Sequence, residues 1–285
     1  MRKATPLLLS LLAVSSVTWA AELRPPGTVT AGAGFLIASS GNGRATFYLI
    51  GPGRVVKRDV TLGQEILVKP DEAKDAGRYL AIVCGPDGCT PAAFYVAAGQ
   101  PQRVSFMLHP SRVPVLARGA IHATAFVFDK YRNPVLTPVA VDFRVTSKTG
   151  SPSSHRAETT RGAAWIQMDS TPREGPVKVT AAVGATAETR IVQQVASEAC
   201  NLRIKATRNA KGVAIETNPV RDCSGNMVPD GTVVSFTATS DNGKTTVDAP
   251  IKKGIARTEL PIAGSARISV ASGVVTGNEI SIGGT

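Results

Sequence analysis

The stretch Asp222-Cys223-Ser224-Gly225-Asn226-Met227-Val228, followed by Thr232-Val233-Val234-Ser235-Phe236-Thr237-Ala238-Thr239, decides the fold of this 285-residue chain. In its second half, Val234, Phe236 and Ala238 alternate with polar residues. A period of two directs successive side chains to opposite faces of a β-strand, so that one face enters a core. The first half is rich in Asp, Ser, Gly and Asn, which favour turns. The stretch therefore predicts a tight loop that leads into a half-buried strand.

The same pattern occurs once more upstream, over residues 128–135 and 139–150. Asn133 and Asn226 are 93 positions apart, and so are Phe143 and Phe236. Two later blocks, at Gly162 and Gly184, find counterparts 92 and 89 positions downstream. A nearly constant offset over separate blocks indicates an internal repeat. Its length of about 90 residues is close to that of a β-sandwich domain, about 100 residues.

Each residue type in the repeated loop has a physical reason to be there. Asp and Asn side chains bond to their own backbone in turns, which predicts that role for Asp129, Asn133, Asp222 and Asn226. Glycine accepts positive φ without a steric penalty, which explains Gly225 and Gly231. Phe143 and Phe236 are predicted to fill the core between two sheets.

The pattern Asp-x-x-Gly-Asn-x-Val-x-x-Gly-x-x-Val-x-Phe, from Asp222 to Phe236, resembles the bacterial immunoglobulin-like repeat of the invasin and intimin type. The upstream copy fits less closely, because Arg132 replaces the motif glycine and Thr137-Pro138 replaces the glycine turn. In that family the repeats are stalk modules of adhesins and usually carry no catalysis. The resemblance therefore implies a surface protein of the adhesion type.

The N-terminus carries an export signal. Met1-Arg2-Lys3 is followed by an uncharged, largely apolar run from Pro6 to Trp19 and then by Ala20-Ala21. Charged, apolar and small segments in this order are typical of a secretory signal peptide, and the run is too short to span a bilayer, which needs about 20 residues. We expect cleavage near Ala20, no transmembrane segment in the mature chain, and a location in the periplasm, at the cell surface or outside the cell.

Residues 21–108 lack the repeated motif but still have the composition of strands. Apolar stretches typical of strands recur between turn signals. They cover residues 46–50, 65–68, 79–83, 94–96 and 104–108. Asp75-Ala76-Gly77-Arg78-Tyr79 resembles the tyrosine corner of immunoglobulin folds, in which the Tyr79 hydroxyl would bond back to the backbone. The acidic segment 71–75 is predicted to be a solvated loop.

These observations predict an all-β protein of three tandem immunoglobulin-like β-sandwich domains. We place the signal peptide at residues 1–20. The N-terminal sandwich follows at 21–108, and the two bacterial immunoglobulin-like domains occupy 109–196 and 197–285.

Four cysteines in an exported chain are expected to form disulfides, for which three pairings are possible. We favour the local one. Cys84 and Cys89 flank a turn, and Cys200 and Cys223 lie at the start of the last domain.

Neither a cofactor nor a metal is expected. The four cysteines and the three histidines do not have the spacing of metal ligands. The alternative is a calcium site at the domain junctions, built from Asp129 and Asp222 with Asp142 or Asp230. Too few carboxylates cluster there for us to favour it.

An enzyme is not expected either. His109, His122 and His155 lack the local motifs of a catalytic triad, and no glycine-rich phosphate loop opens a helix. The formal charge of +11 is spread along the chain without interleaved aromatics, which argues against nucleic acid. We expect a binding or adhesion protein whose partner is an unknown protein or an anionic surface polysaccharide. The alternative is a structural or scaffold component of a periplasmic or extracellular assembly.

Overall fold

A computed structural model of the chain describes residues 21–86, 88–148 and 151–283. The predicted signal peptide, residues 1–20, lies outside them. Every regular element in the described part of the chain is a β-strand. The chain forms two compact units, and the first ends at Gln100 but also includes Asp129–Asn133. The second contains Pro101–Phe128 and Pro134–Thr285.

The first unit contains one sandwich of eight strands. They are β1 (Leu23–Arg24), β2 (Thr28–Thr30), β3 (Phe35–Ser39), β4 (Arg44–Gly51), β5 (Arg54–Thr61), β6 (Ile66–Val68), β7 (Gly77–Gly85) and β8 (Gly88–Ala97). The smaller sheet has the order β1-β3-β6 and the larger one β2-β8-β7-β4-β5. All pairs are antiparallel except β2 with β8.

The core of this sandwich follows from alternation along its strands. On β4, Ala45, Phe47 and Leu49 are buried, while the residues between them are exposed or half-buried. Phe94 of β8 stacks on Tyr79 of β7, with ring centroids 5.5 Å apart. Buried aliphatic and aromatic side chains from both sheets form one hydrophobic cluster, which is the main source of stability in a sandwich.

The second unit begins with another sandwich of eight strands. They are β9 (Arg103–His109), β10 (Arg112–Pro114), β11 (Ile121–Phe128), β12 (Ala140–Ser147), β13 (Ser153–Glu158), β14 (Ala163–Met168), β15 (Gly175–Val183) and β16 (Thr186–Val195). The sheets have the orders β14-β11-β9 and β10-β16-β15-β12-β13. This is the topology of the first sandwich with every strand number raised by eight. The first sandwich is thus a third copy of the same fold, although it lacks the Asp–Asn motif.

The boundary predicted at residue 108 is too late. The strand 103–109, which the sequence pattern places in the first domain, pairs over its full length with β11. The first unit accordingly ends at Gln100. An alternating pattern shows that a segment is a strand, but hydrogen-bond partners decide which sheet it joins.

The last sandwich completes the second unit. Its strands are β17 (Ile204–Asn209), β18 (Gly212–Thr217), β19 (Val233–Ser240), β20 (Gly243–Pro250), β21 (Arg257–Leu260), β22 (Ala266–Ser272), β23 (Val275–Thr276) and β24 (Ile280–Ile282). One sheet has the order β17-β18-β21 and the other β20-β19-β22-β23, with β24 also paired to β22. No described strand belongs to the sheets of both sandwiches in this unit, and the division at residues 196/197 stays a prediction.

Both phenylalanines predicted to fill the cores do so. Phe143 on β12 and Phe236 on β19 are completely buried, and the ring of Phe143 lies 6.1 Å from that of Phe106 in the opposite sheet. Phe47 holds the same position on β4 of the first sandwich. The predicted all-β, immunoglobulin-like fold class is therefore confirmed.

Candidate functional site

The loop at Asp222 is built around one buried carboxylate. Its Oδ1 accepts hydrogen bonds from the backbone N–H groups of Ser224 and Asn226, both at 2.9 Å. Its Oδ2 accepts from the backbone N–H of Ser197 at 3.1 Å and from Nδ2 of Asn226 at 3.0 Å. Because Asp222 is only 4% exposed, these bonds replace the water that a charged group would otherwise need.

Asn226 connects this loop to the preceding sandwich. Its Nδ2 donates to the carbonyl oxygen of Pro172 at 2.9 Å, and its Oδ1 accepts from the backbone N–H of Glu174 at 3.4 Å. Pro172 and Glu174 lie in the connection between β14 and β15. The Asn226 side chain, which is only 7% exposed, therefore forms hydrogen bonds both within its own loop and to the neighbouring sandwich. We call Asp222, Asn226 and their backbone partners the C-terminal clamp.

A second network of the same kind occurs 93 residues earlier, within the first unit. Oδ1 of Asp129 accepts from the backbone N–H groups of Tyr131 and Asn133, at 2.8 and 2.9 Å. Oδ2 accepts from the backbone N–H of Gly99 at 2.9 Å and from Nδ2 of Asn133 at 2.8 Å.

Asn133 repeats the bonding of Asn226. Its Nδ2 donates to the carbonyl oxygen of Lys74, and its Oδ1 accepts from the backbone N–H of Ala76, both at 2.8 Å. Equivalent atoms thus make equivalent bonds in both copies. The repeated Asp and Asn therefore have the same structural role in both loops.

The carboxylates of Asp222 and Asp129 are both stabilised in their charged form. Burial alone would raise the pKa of Asp222, but the hydrogen bonds from Asn226, Ser197 and Ser224 outweigh it and hold the pKa below its usual value. The same balance lowers the pKa of Asp129, where burial is opposed by bonds from Gly99, Asn133 and Tyr131. Each aspartate therefore stays ionised well into the acid range.

The groups around these carboxylates are hydrogen-bond donors or a cationic side chain, which stabilise a carboxylate and disfavour a bound metal ion. N–H donors, which repel a metal ion, occupy the oxygens of Asp129 and Asp222. Asp142 lies 3.8 Å from Arg156, and Asp230 accepts from the backbone N–H groups of Lys253 and Gly254. Within the ranges that the structure describes, no three His, Cys, Asp or Glu residues group together as metal ligands. The calcium alternative therefore has no support from this geometry.

The two loops differ at the position before Asn. Gly225 has a φ of 84°, and Arg132 has a φ of 71° at the equivalent place. The hydrogen bond from this residue back to the Asp carbonyl is also the same, at 3.0 and 3.1 Å. The arginine thus adopts the left-handed conformation that glycine adopts in the other copy, at a cost of roughly 1–2 kcal/mol. Gly231, predicted to need positive φ, has a φ of 92°.

Both favoured disulfides are present. Cys84 and Cys89 bridge the facing ends of β7 and β8, and Cys200 is joined to Cys223 in the C-terminal clamp loop. Because Cys223 follows Asp222 directly, this bridge anchors the segment before β17 to the clamp.

The corner predicted at Tyr79 places a buried ring at the start of β7. Gly77 has a φ of 147°, and Tyr79 is 1% exposed. Burial raises the pKa of Tyr79, and the neighbouring Asp75 charge adds to this effect. The hydroxyl lies near the Asp75 backbone but makes no hydrogen bond of ordinary geometry with the residues described. The backbone bond of a tyrosine corner stays a prediction.

Segment 71–75 is a loop, as predicted, but it is not fully solvated. Glu72 is buried, forms an ion pair with Arg58 of β5 and accepts from the backbone N–H of Lys69 at 2.9 Å. The guanidinium of Arg58 lies 5.2 Å from the ring centroid of Phe47. A segment with four charged residues around Ala73 does not reveal that Glu72 turns inward with the alanine.

The three histidines are exposed. His109 and His122 face each other across β9 and β11, and His155 lies on β13 opposite Phe143.

The hydrogen-bond partners of Asn133 and Asn226 could not be predicted from the sequence. They are backbone groups of Lys74, Ala76, Pro172 and Glu174, which no side-chain pattern signals.

No helix among the residues described could cross a membrane.

Comparisons with known proteins support the fold. No protein-family model and no curated protein matches the chain. Among solved structures, the chain is similar to FdeC, described as a broadly conserved Escherichia coli adhesin. The TM-score is 0.62 at 13% identity, over 93% of this chain and 96% of that one. Invasin, described as a bacterial integrin-binding protein, matches with a TM-score of 0.49 at 12% identity over 93% and 60%. Yersinia pseudotuberculosis InvD matches with a TM-score of 0.49 at 10% identity, over 93% of this chain and 98% of that one.

Proposed function

We propose that the chain is an exported, non-enzymatic binding protein of the adhesion type. In this proposal the first sandwich meets the partner, and the two immunoglobulin-like sandwiches that follow are stalk modules. The observation that carries it is the C-terminal clamp, in which buried hydrogen bonds of Asp222 and Asn226 join one sandwich to the next. A buried and hydrogen-bonded joint suits a module that holds another domain in place.

The structural similarity supports the same class of function. FdeC, which shares the fold, is an adhesin. The three histidines, the side chains most often used as a general base, are exposed and lie on strands of the middle sandwich.

The partner proposed is a protein or an anionic surface polysaccharide. The formal charge of the chain is +11, and without Arg2 and Lys3 of the predicted signal peptide it is 11 − 2 = +9. This charge attracts anionic surfaces, more strongly at low ionic strength. Export would place the protein in the periplasm, at the cell surface or outside the cell. Nucleic acid is not proposed as a partner.

A scaffold role in an exported assembly is the second candidate. The strands β5, β13 and β20 each end a sheet and pair on one side only. An open edge can accept a strand from another chain, which is how many assemblies of sandwich proteins grow. The same edges would serve a binding protein, so the candidates must be separated by experiment.

The test is retention of envelope material by the protein. The full chain would be exported from an expression host, purified, immobilised, and exposed to envelope and polysaccharide fractions at about 50 mM and at about 500 mM salt, where surface charge is largely screened. Retention at high salt of a defined component supports the binding protein. Loss of all retention at high salt, with self-association of the purified chain, supports the scaffold.

A further inference from the structure

The larger sheet of each sandwich has an outer face, and the three faces can be compared row by row. The residue after each buried phenylalanine points outward, and it is Tyr48, Arg144 or Thr237. Around Arg144 the cross-strand neighbours are Ser154 and Thr180.

In the last sandwich the neighbours of Thr237 are Thr246 and Ser269. At this row the outer faces of these two sandwiches are therefore polar, although Ile191 and Val233 are exposed further along the same two faces.

The outer face of the first sandwich is apolar at the same place. Tyr48 lies beside Ile82, which lies beside Pro91. The next row contains Val55, Ile50 and Leu80. We call these six residues the apolar platform. Val55 is 64% exposed and Ile50 is 38% exposed, so part of the platform is open to solvent.

The charges on this face are mostly positive. Arg44, Lys57 and Arg78 are exposed and point outward on β4, β5 and β7, whereas Asp59 is the acidic residue on the same face of β5. The Lys57 ammonium lies 5.7 Å from the ring centroid of Tyr48. The platform thus has an apolar centre with Lys57 and Arg78 beside it, whereas Arg44 lies beyond the row that contains Asp59.

We propose that the apolar platform is a docking surface for a protein whose own apolar surface is bordered by carboxylates. This inference rests on the proposed function and names its surface and partner class. Contiguous exposed apolar surface on a soluble domain commonly marks an interaction site. Complementary charges at the border set orientation and speed association. The polar residues at the equivalent row of the other two sandwiches show that the fold itself does not require apolar residues here.

Other occupants fit these residues less well. In a symmetric pair of platforms, each residue would meet the same patch of the other copy, and the cations would oppose one another. A polysaccharide needs hydrogen-bond partners for its hydroxyls, which the aliphatic side chains of the platform do not offer. A flat array of half-buried side chains suits the flat surface of another protein better than insertion into a bilayer.

The test uses defined probes and the full chain. A fluorescent peptide of alternating leucine and glutamate serves as the acidic apolar probe, and the same peptide with lysine for glutamate is its control. Phosphatidylglycerol vesicles and polygalacturonate test the other two occupants. Binding is measured by titration at about 150 mM salt. The glutamate peptide is expected to bind at least tenfold more tightly than the lysine peptide, the vesicles or the polysaccharide.

Two variants address the platform directly. The double variant Ile50→Ser with Ile82→Ser removes aliphatic contacts and is expected to weaken binding of the glutamate peptide about tenfold. The matched control, Thr237→Ala with Ser269→Ala on the last sandwich, should leave the affinity for this peptide unchanged. Lys57→Glu alters one exposed side chain and is expected to weaken the glutamate peptide while improving the lysine peptide. This charge reversal remains informative if the double isoleucine variant does not fold.

Three results would overturn the proposal. They are no binding of the glutamate peptide, binding that neither the isoleucine nor the Lys57 variant changes, and preferred binding of vesicles or polysaccharide. Because the peptide assay does not depend on the unknown envelope component, its failure leaves the proposed function standing. Failure of the envelope retention assay, in contrast, removes the proposed function itself.

Discussion

The Nδ2 atom of Asn226 donates to the carbonyl oxygen of Pro172 over 2.9 Å, so that one side chain joins two sandwiches. The same side chain also donates to Asp222 and accepts from the backbone of Glu174. Asn133 makes the matching set of bonds to Asp129, Lys74 and Ala76 within the first unit. The loop of Asp222 and Asn226 is therefore a joint between two sandwiches as well as a turn.

Replacing Asn226 with alanine should destabilise the second unit. The change leaves the Pro172 carbonyl and part of the Asp222 carboxylate without a partner, which costs about 1–3 kcal/mol. Urea denaturation would measure the loss in free energy of unfolding. Asn209→Ala is the control, because this exposed residue bonds only to exposed groups and should cost less than about 0.5 kcal/mol. Equal effects of the two changes would contradict the clamp.

Arg132→Gly should stabilise the protein. Arg132 has positive φ, and relief of its strain, about 1–2 kcal/mol, exceeds the extra entropy that glycine loses on folding, about 0.5–1 kcal/mol. We expect a net gain of roughly 0.5–1 kcal/mol by urea denaturation. The reciprocal change, Gly225→Arg, should cost a similar amount. A loss of stability in Arg132→Gly would show that the arginine side chain itself is needed.

Stability should fall in acid because of Asp129 and Asp222. Their folded pKa values are lower than the ordinary 3.8, so each contributes stability that is present above that value. The contribution is lost as pH falls through the folded pKa. The melting temperature, measured by thermal unfolding between pH 2 and 7, would report the loss of this contribution. In Asp222→Asn the melting temperature should be lower at neutral pH and should approach that of the wild type in acid. Parallel curves at all pH values would contradict the assignment.

The two disulfides should differ in their contributions. Cys200 and Cys223 are 23 residues apart, and Cys84 and Cys89 are 5 apart. Loop-closure entropy predicts about 3 kcal/mol for the longer loop and about 2 kcal/mol for the shorter one. Denaturation of the two double-serine variants measures both. A larger loss for the Cys84 and Cys89 pair would show that entropy does not set the order.

Tyr79→Phe tests the predicted tyrosine corner. The buried hydroxyl has no hydrogen bond of ordinary geometry among the described residues, so its removal should change the free energy of unfolding by less than about 0.5 kcal/mol or increase it. Urea denaturation would decide. A loss of more than about 1 kcal/mol would mean that the hydroxyl bonds to the backbone near Asp75, as the resemblance implies.

The strands and core residues that carry a strong local signal could be predicted from sequence. Phe143 and Phe236 lie at the same place in a repeat, and alternation around them has one physical meaning, a half-buried strand. The local cysteine pairing could also be favoured, because Cys84 and Cys89 flank a turn. These features depend on residues close together in the chain.

The features that could not be predicted depend on partners far apart in the chain. The bonds of Asn226 go to backbone groups of Pro172 and Glu174, and backbone groups are the same in every residue. Strand β9 resembles any other alternating segment until its pairing with β11 is known. The platform required the register of β4, β5 and β7, because Ile50, Leu80 and Val55 are adjacent only across strands.

The measurement that tests the central claim most directly is the distance distribution between the last two sandwiches. Nitroxide labels attached through ketone-bearing residues at Lys178 and Lys244, both exposed, would be measured by pulsed electron paramagnetic resonance. A joint held by Asp222 and Asn226 predicts one narrow peak in the wild type and a clearly broader distribution in Asn226→Ala. A wild-type distribution as broad as that of the variant would contradict the claim that the Asp–Asn loop fixes one sandwich to the next.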